Sequence, residues 1–201
     1  MSAPAHFHKE MAFSEAEYAQ RLARVRTAMD AARLDVLLVH SMPNICYLTG
    51  YQTPLSDWYQ CLIVPRNGDV TLQVCDPELA QMNAQVANIV TVRWDRMDDA
   101  ADQLVELLRG MGADGKRIGL ELRRPGLNAF TAQTLHKGLA KAAFEDASPL
   151  VLDLRATKSP AEIECMRIAA RFTSIGMAAG IAAIRAGATE NDVGAAANAA
   201  M

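Results

Sequence analysis

The chain has 201 residues, 51% of them apolar and 21% charged, with a net charge of −3. That length holds one domain and part of another, in an ordinary globular composition. The weak negative charge argues against nucleic acid or an anionic membrane as partner. No apolar run reaches the ~18 residues of a membrane span, and MSAPAHFHKE lacks the apolar core of a signal peptide.

Residues 1–12 show no periodicity and read as a flexible lead-in; His6 and His8 on it are not a metal pair. Phe13–Arg33 reads as a helix. Ser14 and Glu17 spell a capping box, Phe13 can staple onto Tyr18, and Tyr18, Leu22, Val25, Met29 and Ala32 form one apolar stripe. Arg21, Arg24 and Arg26 are read as a solvated face, since Glu15, Glu17 and Asp30 accompany them. Cys46, Cys61, Cys75 and Cys165 lie far apart without a C-x-x-C pair, as in a cytoplasmic protein with reduced, mostly buried cysteines.

Asp35–Tyr51 organises the rest. Val36–Val39 is apolar on both faces, as a strand buried on both sides must be. Pro43 suits the first turn of a short helix carrying Ile45, Tyr47 and Leu48, and Gly50 ends it. Cys61–Pro65 and Val70–Val74 flank Asn67-Gly68, a hairpin signal. A helix is expected over Pro77–Ala87 behind Asp76, a strand over Ile89–Trp94 and an amphipathic helix over Met97–Arg109. Gly110–Gly115 matches G-x-G-x-x-G, but it follows a helix and precedes the strand Arg117–Leu122, so it is a helix stop and a turn. Leu127–Leu139 reads as helix and Ala143–Asp146 as strand. Asp35, Glu121, Asp146 and Asp153, on or beside strands, read as caps and exposed partners rather than a two-metal site. Helices alternating with strands and one hairpin make an α/β domain around a mixed sheet.

The tail differs. Ser159-Pro160-Ala161-Glu162 is a second capping box with proline at the first helical position. One uninterrupted helix is expected from about Pro160 to about Arg185, with Gly187 as its stop. Gly176 and Gly180 weaken it by only about 1 kcal/mol each, too little to break it. Thr189 and Asp192 start another helix, which reaches Met201 without a stop signal and reads as cut inside a second domain.

Asn44-Ile45-x-Tyr47-Leu48-Thr49-Gly50-Tyr51 resembles the amino-terminal domain of the creatinase/prolidase/aminopeptidase P family. Leu154-Arg155-x-x-Lys158-Ser159-x-x-Glu162-Ile163-x-x-Met166-Arg167-x-Ala169 resembles the start of its pita-bread catalytic domain, and Gly187-x-Thr189-Glu190 is similar to that domain's next helix start. The resemblance implies a ribonuclease-H-like mixed-sheet domain over residues 13–153, followed by long helices over 154–201 that begin the catalytic domain. It implies a homodimer and a parent hydrolase of Xaa-Pro peptides or related small amides. It also implies two divalent metals (Mn, Zn or Co) bound beyond Met201, with no cofactor in this chain. No catalytic residue or metal ligand can be assigned within it. The loop Gln52–Gln60 lacks the arginine that the resemblance leads one to expect for creatinase. By the same resemblance, the loop walls the partner's active site. Asp57, Trp58 and Tyr59 are then the candidate substrate wall: two aromatic faces for a proline-like ring and a carboxylate for a substrate cation. Two functions stand: the non-catalytic domain of a metal-dependent hydrolase, serving dimerisation and substrate selection, or a free-standing binding or assembly module.

Overall fold

A computed structural model describes residues 12–75, 89–94, 96 and 99–201. The expected helix over Pro77–Ala87 and the pair His6 and His8 lie outside them. The chain divides into two compact units, with the boundary between Ala156 and Thr157.

In the first unit, α1 (Glu15–Ala31) leads into β1 (Val36–Val39), α2 (Met42–Thr49) and the hairpin β2 (Cys61–Pro65) and β3 (Val70–Val74). Then come β4 (Ile89–Arg93), α3 (Ala100–Gly110), β5 (Arg117–Leu120), α4 (Ala129–Gly138), β6 (Ala143–Asp146) and α5 (Ser148–Ala156). Among the described residues the strands form one six-stranded mixed sheet in the order β4-β3-β2-β1-β5-β6. The β1–β2 and β2–β3 pairs are antiparallel and the others parallel.

Side chains alternate across a strand, and β1 feeds two cores. Leu37 and Val39 pack with Val25 and Met29 of α1, Ile45 and Leu48 of α2, and Val151 of α5. Val36 and Leu38 pack on the other face with Leu104 and Leu108 of α3 and Leu135 of α4. Such burial is worth roughly 1.5–3 kcal/mol per large aliphatic side chain, which is why an unbroken apolar run sits at the centre of a three-layer α/β/α unit.

Several local expectations hold. Phe13 meets Tyr18 edge-on with centroids 6.0 Å apart, Gly50 ends α2 at φ 70°, and Gly112 and Gly115 take positive φ in the turn before β5. The strand at Arg117 is shorter than expected, ending at Leu120, and α3 begins at Ala100. Only the Ser14 half of the first capping box forms; the Glu17 carboxylate lies on Arg21 instead.

Arg21 overturns the solvated-face reading. It is buried, donates to the Tyr47 carbonyl at 3.0 Å, and lies against the rings of Phe13, Tyr18 and Tyr47. Arg24 donates to the Leu154 carbonyl, and Arg26 to the carbonyls of Pro65 and Gly68. These arginines tie α1 to carbonyls of α2, α5 and the β2–β3 hairpin, a role helical spacing cannot reveal. Of the four free cysteines Cys61 is buried, Cys46 and Cys75 are partly buried, and Cys165 is exposed. The helix α5 was not expected. Asp146 Oδ1 accepts from Ser148 N at 2.9 Å at its start, and Asp153 sits on it rather than beside a strand.

In the second unit, α6 (Pro160–Ala183) runs 24 residues without a break, and both capping boxes, Ser159–Glu162 and Thr189–Asp192, are complete. It packs on α7 (Glu190–Ala200) through its two buried residues, Gly176 and Gly180. A Cβ on Gly176 would come within 2.7 Å of Met201 Sδ, so glycine there lets the helices approach closely. Much of the remaining α6 surface is apolar and exposed, including Met166, Phe172, Ile175, Met177 and Ile181.

Candidate functional site

The carboxyl ends of the adjacent parallel strands β1 and β5 open into a cleft of about 1080 Å³. Loops leaving strands at this end of an α/β sheet commonly carry binding groups. Its floor is a buried polar network. Glu121, the residue after β5, is 1% exposed. Its Oε2 accepts from the backbone N–H groups of His40 and Ser41, each at 2.7 Å, and its Oε1 from Asn44 Nδ2 at 2.5 Å. Asn44 Oδ1 accepts from Arg155 Nη1 at 2.7 Å. The carboxylate collects the two backbone amides that lead into α2, whose N-cap residue Ser41 makes no side-chain cap. A negative charge there also complements the helix dipole.

The network joins the two motifs read from the sequence: Asn44 and Arg155 lie 111 positions apart and bond directly. Burial raises the Glu121 pKa, opposed first by the Ser41 amide and then by Asn44 and the His40 amide. Every one of these partners is a donor, which suits the ionised carboxylate.

Burial lowers the His40 pKa from 6.5 to about 4, so the imidazole is neutral at ordinary pH. Its Nε2 lies 3.4 Å from the Tyr59 hydroxyl. Burial also pushes up the Tyr59 hydroxyl and the Cys61 thiol. Neither is an available nucleophile or base.

The three sequence candidates all line this cleft but differ in exposure. Asp57 is exposed. Trp58 is 47% exposed and stacks on Trp94 with centroids 6.0 Å apart. Tyr59 is buried, and its carbonyl accepts from Trp94 Nε1 at 3.1 Å. Its ring belongs to the α3–α4 core, so only Asp57 and Trp58 offer free surface. The loop is held by its own bonds: Trp58 N and Gln60 Nε2 both donate to the Leu55 carbonyl. On the opposite wall, Gly126 has φ 112°, and a Cβ there would lie 2.4 Å from the His40 carbonyl oxygen.

Sequence reasoning missed three members of the site: Glu121 as its buried hub, and Arg124 and Arg155 as the cationic lining. Glu121 closes an apolar strand and resembles any strand-end carboxylate; nothing local marks Arg124. Among the described residues no group of three His, Cys, Asp or Glu could hold a metal ion. The two divalent metals that the resemblance implies do not fit the described residues.

Comparison with known proteins agrees with this architecture. An uncharacterized hydrolase/peptidase of Sinorhizobium fredii is 32% identical over 92% of this chain and 49% of its own length. Ectoine hydrolase of Halomonas elongata is 29% identical over 81% of this chain and 43% of its own length. The chain thus spans about half the length of these curated relatives. The prolidase structure from Pyrococcus horikoshii superposes with a TM-score of 0.66, covering 89% of this chain and 47% of that one at 21% identity, which speaks for the fold. Residues 21–157, most of the chain, match the creatinase/prolidase N-terminal domain, and the protein belongs to that family.

Proposed function

We propose that the chain is the amino-terminal, non-catalytic part of a hydrolase acting on an Xaa-Pro peptide or a related small amide. In this reading the α/β domain, bounded near residue 153, serves dimerisation and substrate selection. Relatives carrying the names hydrolase/peptidase, creatinase and Xaa-Pro dipeptidase support the reaction class. The catalytic metals belong to the other half of such an enzyme, and no step is assigned through them to residues of this chain. Among the described residues no helix is long and apolar enough to cross a membrane. Four free cysteines accord with the cytoplasm as its location.

The observation that carries the reading is Trp58, a large aromatic side chain left half in solvent at the edge of a cleft and braced from behind by Trp94. A residue needed only for the core would be covered; this one presents a supported apolar face beside the Asp57 carboxylate. Tyr59 braces the loop from within and does not itself form the wall. The test is Trp58→Ala in the full-length hydrolase with an Xaa-Pro dipeptide. The expected result is a fall in kcat/KM of about tenfold, carried by KM, as for binding lost equally from ground and transition states, with the urea midpoint little changed. Unaltered kinetics with a loss of several kcal/mol of stability would make Trp58 a core residue and end the proposal.

A further inference from the structure

We infer that the cleft holds a carboxylate-binding subsite formed by Arg124 and Arg155. It takes small amino-acid-like ligands, with the carboxylate on the guanidinium groups, the ligand's apolar part on Trp58 and its amine toward Asp57. This deepens the reading of the cleft as a selection surface and rests on it.

Arg21, Arg66, Arg109, Arg117 and Arg123 each lie on a carboxylate. Arg123 takes Asp146 at 2.8 Å, while its neighbour Arg124 turns to the cleft. Among the described residues neither Arg124 nor Arg155 pairs with a carboxylate. Arg155 commits Nη1 to a neutral amide oxygen, Asn44 Oδ1, and Arg124 Nε is buried with no hydrogen-bond partner. Glu121 is the carboxylate that could have neutralised them. Its charge is felt by Arg124, but its oxygens are taken by three other donors. A buried cationic donor without an acceptor is costly, and a carboxylate answers it with two parallel bonds.

The lining selects the ligand's class. Asp57 is the one carboxylate residue among the cleft's described lining, against two arginines; with Glu121 buried beneath them the charges balance, so the site suits a ligand that carries both a carboxylate and an amine. A compact dianion such as phosphate would face the Asp57 charge and leave Trp58 unused. The cleft's size suits a small molecule, for which sites of about 300–1,000 Å³ are usual.

Isothermal titration calorimetry of the 201-residue chain tests this. The probes are glycyl-L-proline, its C-terminal amide, and inorganic phosphate. The dipeptide should bind saturably and the amide at least tenfold more weakly. Phosphate should bind more weakly than the dipeptide. Arg124→Gln should weaken the dipeptide about tenfold and leave the amide unchanged. Trp58→Ala should weaken dipeptide and amide alike. Arg155→Gln is less useful because it also unties Asn44, so Arg124→Lys, which keeps charge but loses the fork, serves as the second variant and should recover only part of the affinity. Equal binding of dipeptide and amide, unaffected by Arg124→Gln but weakened by Trp58→Ala, overturns the arginine subsite while the selection surface stands. No binding of either probe to a folded chain overturns both, and phosphate binding as tightly as the dipeptide overturns the carboxylate assignment.

Discussion

Glu121→Gln changes neither shape nor size, yet it should cost about 3 kcal/mol. Every group facing the carboxylate is a donor: two backbone amides on one oxygen and Asn44 Nδ2 on the other. A glutamine can leave its oxygen on the amides, but its NH2 then meets Asn44 Nδ2. Turning the Asn44 amide relieves that contact and points Nδ2 at Arg155 Nη1, which donates to Oδ1 in the native arrangement. One donor–donor contact survives either way. The magnitude combines a lost charge-assisted bond, about 1.5–3 kcal/mol, with a buried donor left without an acceptor, about 1–3 kcal/mol. Asn44→Asp alone sets two carboxylates together inside the domain and should cost about as much or more. The double variant Glu121→Gln/Asn44→Asp restores an acceptor to every donor and preserves the net charge. It should recover to within about 1 kcal/mol of the parent, a large coupling between the two sites. Urea unfolding followed by the fluorescence of Trp58 and Trp94, both in the α/β unit, reads this directly. An unchanged midpoint in Glu121→Gln would mean that burial keeps the carboxyl protonated. A double variant no better than the worse single one would refute the network argument.

His40 sets an acid limit on stability. Its pKa is about 4 folded against an ordinary 6.5, so between these values the unfolded chain binds the proton and stability rises with pH. The contribution is complete above about pH 6.5, is lost as pH falls toward 4, and amounts to about 3 kcal/mol at about 1.36 kcal/mol per unit. His40→Asn should flatten that part of a urea-midpoint profile. Glu121, whose raised pKa acts in the opposite sense, is common to both proteins and cancels, and an unchanged slope would overturn the assignment. Gly126→Ala, which combines φ 112° with a Cβ 2.4 Å from the His40 carbonyl oxygen, should cost about 3 kcal/mol; a loss under about 1 kcal/mol would show that the loop yields freely. The exposed apolar surface of α6 should drive the 201-residue chain to a dimer or larger species in light scattering, and a clean monomer at high concentration counts against it.

Elements whose signals lie within a few residues were legible in the sequence. The apolar run Val36–Val39 became the twofold-buried β1, Asn67-Gly68 became the hairpin turn, and Ser159 and Thr189 with their partners became caps. The family was legible because two motifs kept their spacing and order. Tertiary structure decided what depends on residues far apart in the chain. Arg21 looks like any helical surface arginine until Tyr47 and Phe13 close over it. Tyr59 and Trp58 are adjacent, yet alternation in the approach to β2 sends one into the core and leaves the other at the cleft. Glu121 becomes a hub only when the parallel pairing of β1 and β5 brings it to the start of α2, 77 positions away from Asn44. Local spacing carries helix faces and strand alternation. The sheet's strand order determines which carboxylate meets which amide, and that order is a property of the whole chain.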